Sequence, residues 1–212
     1  MKGDRGRTSS ESGRRRARGR LSVTTWGGAL VTGIFLLAGG ILDGVYAVVQ
    51  VLPDATYSVD GRSLPGGKVA AADSHVKEVV AAFGRAEEAV QRQDVDALLQ
   101  FYAPAFNYHG LKPEGVRRIW TEVFEYYRNV SSTHLFSDIR LIREGDHLRA
   151  EVTCTGGLYG TDRRSGKAVT LDSWFREVHY LISEEGRWRL LGNKGDAPTV
   201  APFSSVPHHP LF

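Results

Sequence analysis

Residues 147–182 read HLRAEVTCTGGLYGTDRRSGKAVTLDSWFREVHYLI, and their pattern decides the fold class. Over 147–155, Leu148, Ala150, Val152 and Cys154 alternate with Arg149, Glu151 and Thr153, the period of a half-buried strand. Gly156, Gly157 and Gly160 suggest a bend or bulge. Residues 162–166, DRRSG, have the composition of a hairpin turn, and 168–182 then read as one long strand. On that strand, period two places Asp172, Trp174, Arg176 and Tyr180 on one face. It places Leu171, Ser173, Phe175, Glu177, His179 and Leu181 on the other.

Working outward, 133–143 reads as a strand with Leu135, Ile139 and Leu141, and 187–192 as a last strand after Glu185-Gly186. The N-terminal side changes to helical spacing. Asp73 and Ser74 are candidate caps, and Val76, Val79, Val80, Phe83, Ala86 and Val90 form a stripe. Asp94 caps a short helix with Ala97, Leu98 and Phe101, stopped by Pro104. Phe106-Asn107-Tyr108 has strand composition. Pro113 suits a first helical turn, and Val116, Ile119, Trp120, Val123 and Tyr127 make a stripe ending near Asn129. Helices first and antiparallel strands afterwards predict an α+β fold.

The ordered segments Asp94 to Leu99, Phe101-Tyr102-Ala103-Pro104, Phe106 to Gly110 and Gly186 to Leu191 resemble the nuclear transport factor 2-like (NTF2-like) superfamily. The resemblance covers residues 74–194. It implies a cone: a curved antiparallel sheet wrapped around about three helices, enclosing a pocket, often dimeric through the sheet. The superfamily includes ketosteroid-isomerase-like and SnoaL-like cyclase enzymes and many non-catalytic binding domains, so the fold does not choose the function.

In the enzymes, the resemblance implies a carboxylate near the first strand as proton abstractor. This chain has Asn107-Tyr108-His109-Gly110 there, without an acid. His109 is a candidate general base in its place; its plainer reading is a half-exposed strand-end histidine. Glu177 and His179 are a second acid–base candidate, or a hydrogen-bonded pair on a strand edge. Tyr102, Phe106, Tyr108, Trp120, Tyr127 and Trp174 are candidate lining for a pocket holding a small apolar ligand; ordinary core packing explains most of them as well. Cys154 reads as a small buried hydrophobe because no histidine is near it in sequence. His208-His209 lacks a third ligand, and no metal site or cofactor is expected. There is no Walker loop, GxGxxG after a strand, HExxH or GxSxG. Asn129-Val130-Ser131 matches a glycosylation triplet, relevant only in a eukaryotic secretory route.

The chain has 212 residues, one cysteine and a net charge of +3, which excludes an intramolecular disulfide framework. Its 42% hydrophobic content excludes wholesale disorder. Residues 1–20 hold eight basic and two acidic side chains, net +6, so the other residues are net −3. Residues 21–42 carry no charge and, as a helix of about 33 Å, match a hydrocarbon core of about 30 Å. Asp43 ends the stretch, and basic residues precede it only. The expectation is a basic cytoplasmic tail (1–20), a single-pass signal-anchor (21–43), a linker (44–73), an extracytoplasmic domain (74–194) and a Pro-rich tail (195–212). Cleavage after Ala47, giving a secreted or periplasmic protein, is the alternative. The Gly40/Gly44 pair is a weak dimer signal. Nucleic acid, which would rest on the tail alone, is not the expected partner.

Overall fold

The computed structural model describes residues 47–194. The basic tail, the expected anchor over 21–43 and the Pro-rich tail lie outside the described residues. Among the described residues, no helix is long and apolar enough to cross a membrane.

The chain runs β1 (Val48–Val59), β2 (Arg62–Leu64), α1 (Gly66–Ala72), α2 (Ser74–Arg92), α3 (Val95–Leu99), α4 (Pro113–Tyr126), β3 (Tyr127–Glu144), β4 (His147–Asp162), β5 (Ala168–Glu184) and β6 (Arg187–Lys194). One curved six-stranded sheet has the order β2-β1-β3-β4-β5-β6, with helices on one face, an α+β arrangement.

The stretch expected as a linker is instead β1, β2 and α1. β1 pairs in parallel with β3, Val48 opposite Thr133 and Val59 opposite Leu141, so the sheet is mixed and not purely antiparallel. Pro53 lacks the N–H a ladder needs, and the register breaks between Val51 and Thr56. That proline and the turn glycines hide a strand whose partner lies far along the chain. Gly67 lets α1 approach β1: a Cβ there would stand 2.1 Å from the Leu52 carbonyl oxygen.

Capping fixes α2. The Asp73 carboxylate accepts the backbone N–H groups of His75 (2.8 Å) and Val76 (3.2 Å), a contribution of about 1 kcal/mol. The helix ends at Gln93, in the left-handed region at φ 56. Val76, Val79, Phe83, Ala86 and Val90 are buried, as the spacing predicts. Phe83 is the hub, its ring 4.9 Å from Phe101, 5.0 Å from Phe136 and 4.9 Å from His134. Asp94 caps α3 through the Ala97 N–H (2.9 Å). Phe106-Asn107-Tyr108 is not a strand. The segment runs beside β6 through isolated bonds, Ala103 N–H to the Leu190 carbonyl (2.8 Å) and Asn107 N–H to that of Leu191 (3.0 Å). Pro113 opens α4, which passes straight into β3 at Tyr127.

Two bulges set which side chains face the helices. Phe136 pairs with Cys154 and Asp138 with Thr153, so β3 carries an extra residue at Ser137. Leu135 therefore does not share a face with Ile139 and Leu141; Ser132, His134 and Phe136 are buried instead. On β5, Glu177 pairs with Cys154 but Trp174 pairs with Gly156, again one residue too many. Arg176 absorbs it at φ 54, and its N–H donates to Thr155 Oγ1 (3.0 Å). Trp174 thus joins Glu177 and His179 on the helix side of the sheet, opposite to the period-two reading. Phe175 is left 81% exposed.

Candidate functional site

Polar residues interrupt the apolar helix face of the sheet, beginning with one group around Glu87. Glu87 sits on the buried stripe of α2, 4% exposed. Its carboxylate accepts the Ser132 N–H (3.0 Å) and the Ser132 hydroxyl at Oε2, and Gln91 Nε2–H at Oε1 (3.1 Å). Ser132 Oγ lies 3.0 Å from His134 Nε2. Because that hydroxyl donates its proton to Glu87, it accepts from His134, whose Nε2 carries the hydrogen. His134 Nδ1 then faces Cys154 Sγ at 3.7 Å.

A second chain arrives from β5 and β6. The Glu177 carboxylate is hydrogen-bonded by the Asn193 side chain. Only the amide nitrogen of Asn193 can donate there, so its Oδ1 points at His179 Nδ1, 2.8 Å away. His179 is therefore protonated on Nδ1, and its buried Nε2 has no hydrogen-bond partner among the described residues. Two carboxylate–relay–imidazole chains, Glu87–Ser132–His134 and Glu177–Asn193–His179, converge on Cys154. The ligand-capable atoms of His134, Cys154 and His179 lie within 4.8 Å of one another, and all three residues are fully buried. The Trp174 indole N–H donates to the thiol (3.3 Å), and its ring lies 5.1 Å from that of His134. Gly156 makes room: a Cβ there would stand 1.8 Å from the Thr133 carbonyl oxygen and 3.0 Å from the Trp174 ring.

Burial dominates the electrostatics. It lowers the His179 pKa to about 4 against the opposing Asn193 bond, and lowers His134 well below the usual value, with His179 adding to the effect. Both rings are neutral at pH 7. Burial raises the Cys154 thiol to about 12, outweighing the Trp174 bond, so it is not a thiolate nucleophile. Glu87 is raised by burial despite its hydrogen bonds. Glu177 is raised to about 7, by burial first and the Asp172 carboxylate second. Tyr108 is pushed to about 12 by burial and by the charges of Glu177 and Asp172. Tyr108, Asp172, Glu177 and Asn193 thus form a polar group beside the convergent histidines.

The remaining candidates are placed as follows. His109 is on an exposed turn at φ 47, edge-on to Tyr108 at 4.5 Å, and not at a strand end. Tyr102, Phe106 and Trp120 pack together in the core: the Trp120 indole donates to the Tyr102 hydroxyl (3.0 Å), and Phe106 meets Tyr102 edge-on. Tyr127 is half-buried at the start of β3. Among the described residues, one surface groove is bordered by Arg85, Phe101 and Trp188 and another by Tyr102, Pro113 and Arg189. His134, Cys154 and His179 line neither. The sequence reading missed Glu87, Ser132, His134 and Asn193. Glu87 had a signal, a carboxylate four residues after Phe83 on the apolar stripe. Cys154 has no histidine near it in sequence, but the strand pairing brings His134 and His179 to it in space.

No family model and no curated protein matches the chain. Solved structures do resemble it. A ketosteroid isomerase-like protein from Erwinia carotovora atroseptica is 15% identical at a TM-score of 0.41, over 57% of this chain and 94% of that one. A conserved protein from Planctomyces limnophilus is 13% identical at a TM-score of 0.46, over 57% and 93%. A Bdellovibrio bacteriovorus structure is 11% identical at a TM-score of 0.39, and the match spans 41% of its length.

Proposed function

We propose that the chain is a membrane-anchored extracytoplasmic binding or assembly domain of the NTF2-like type, held by a signal-anchor over 21–43. The order of helices before the strand run supports the fold assignment, with β1, β2 and α1 added at one edge of the sheet. The uncharged stretch after eight basic residues supports the anchor and its orientation. The binding reading rests on one observation. Glu177, among the described residues, makes no ion pair, yet it sits half-buried beside Tyr108, Asp172 and Asn193. Such a carboxylate is a hydrogen-bond acceptor ready for a small ligand carrying donors on an apolar body. Binding is preferred to turnover because the one thiol is buried and protonated and His109 stands on a surface turn.

Native mass spectrometry of the full chain released from detergent tests this reading. A retained organic molecule, lost in Glu177→Gln, is the expected result; an empty protein that also binds no partner from its own membrane fraction overturns it. A reporter active only outside the cytoplasm, fused after Phe212, is expected to be active, and inactivity overturns the orientation.

A second reading is an isomerase or cyclase. Its support is the Asn193 bridge, which joins Glu177 to His179 in one hydrogen-bonded line. Turnover of a cyclic ketone or polyketide-like substrate, lost in both Glu177→Gln and Asn193→Ala, would establish it over binding alone.

A further inference from the structure

We propose that His134, Cys154 and His179 form a buried binding site for one borderline-soft transition-metal cation of the zinc or copper type. The inference stands apart from the anchored-binding reading, since it needs neither the anchor nor a ligand at Glu177.

The donor set fits. One thiolate and two imidazoles suit zinc and copper, whereas magnesium and calcium require oxygen. Each imidazole is turned for ligation by a partner on its other nitrogen. Ser132, backed by Glu87, holds the Nε2 hydrogen of His134, so the Nδ1 lone pair faces Cys154. Asn193, backed by Glu177, holds the Nδ1 hydrogen of His179 and leaves Nε2 as a buried nitrogen without a partner among the described residues. Such outer carboxylates and amides are the usual means of fixing a ligating tautomer. An isolated buried lone pair costs stability unless something fills it, and a cation does. The Trp174 N–H on Cys154 Sγ supplies the hydrogen bond that a metal thiolate accepts.

The spacing is close to that of an assembled site. The thiol and His134 Nδ1 are 3.7 Å apart, and no ligand pair exceeds 4.8 Å. With metal–sulfur and metal–nitrogen bonds of about 2.3 and 2.0 Å, tetrahedral ligands stand about 3.5 Å apart, so the widest pair closes by roughly 1 Å. Binding replaces the S–H bond of Cys154 with a sulfur–metal bond and releases one proton to solvent per cation.

The full chain in detergent is titrated with Zn²⁺ and, as a spectroscopic probe, Co²⁺. The expected result is one Co²⁺ per chain with a thiolate-to-cobalt charge-transfer band, and one proton released. Zn²⁺ at about a hundredfold above its Kd raises the Tm by about 5–10 °C. Cys154→Ser removes the band and weakens Co²⁺ at least tenfold. Asn193→Ala, which leaves all three ligands, weakens it about 10–100-fold. Because a core variant can fail to fold, X-ray absorption at the zinc edge of the unaltered protein is decisive by itself. One sulfur and two imidazoles in the zinc shell support the site. A shell without sulfur, the absence of stoichiometric binding, or a cobalt spectrum unchanged in Cys154→Ser overturns it.

Discussion

Ser132→Ala tests the relay that holds His134. The substitution removes one hydroxyl that donates to Glu87 and accepts from His134, while the Ser132 backbone N–H still reaches Glu87 at 3.0 Å. A hydrogen bond to a carboxylate contributes about 1.5–3 kcal/mol, and a buried imidazole N–H left without its acceptor costs about 1–3 kcal/mol. The two are not fully additive, and about 3 kcal/mol is the expected loss. For a domain of this size that lowers the Tm by about 6–12 °C. The assay is urea unfolding followed by tryptophan fluorescence, with pH as a second axis. Burial raises the Glu87 pKa in the folded state. Its stabilising share is therefore greatest below the unfolded carboxylate value and is lost as pH rises through the raised folded value. Glu87→Gln removes that slope and raises stability at neutral pH relative to acid. Ser132→Ala removes a donor that favoured the charged form, so its slope extends to higher pH. In a cycle, the double variant is expected to cost less than the two single losses combined. A Ser132→Ala protein within about 0.5 kcal/mol of the parent, with an unchanged pH slope, would refute the relay.

Gly156→Ala places a methyl 1.8 Å from the Thr133 carbonyl and is expected to cost about 3 kcal/mol in urea unfolding. Arg176→Gly fits the φ of 54 and is expected to change stability by less than about 0.5 kcal/mol, whereas Arg176→Val costs about 2 kcal/mol. Equal effects of the two would refute the bulge. Phe175, 81% exposed on the face away from the helices, is the side chain on which a dimer through the sheet would rest. Phe175→Ser is expected to leave the unfolding midpoint unchanged and to halve the mass seen in detergent-corrected light scattering; an unchanged mass refutes that interface.

What the sequence made legible was local. The Asp73 and Asp94 caps, the α2 stripe, Pro113 and the turn over 162–166 depend on residues within a turn or two of one another, and the structure agrees with each. The alternation of β4 was also legible. The failures are non-local. β1 escaped because its partner is β3 and Pro53 interrupts its pattern. Period two groups Trp174 with the wrong neighbours because one extra residue in a strand inverts every later side chain, and nothing near Arg176 announces the insertion. The convergent histidines were invisible for the same reason. His134, Cys154 and His179 sit on three separate strands, and only their register brings them together.

The parallel pairing of β1 with β3 has a consequence for how the protein is made. Val48 leaves the ribosome before Thr133, its partner, by 85 residues, and at about 5–20 residues per second that delay is about 4–17 s. During this interval β1 has only β2 beside it, and a two-stranded hairpin is marginal in water. The candidate cleavage point after Ala47 directly precedes the first residue of β1. If the chain is cleaved there, the bond would be open to a processing enzyme before β1 is paired. Once β3 docks, the Ala47–Val48 bond adjoins a strand locked into the sheet, so if that bond is a cleavage point, its accessibility would fall with the arrival of residue 133.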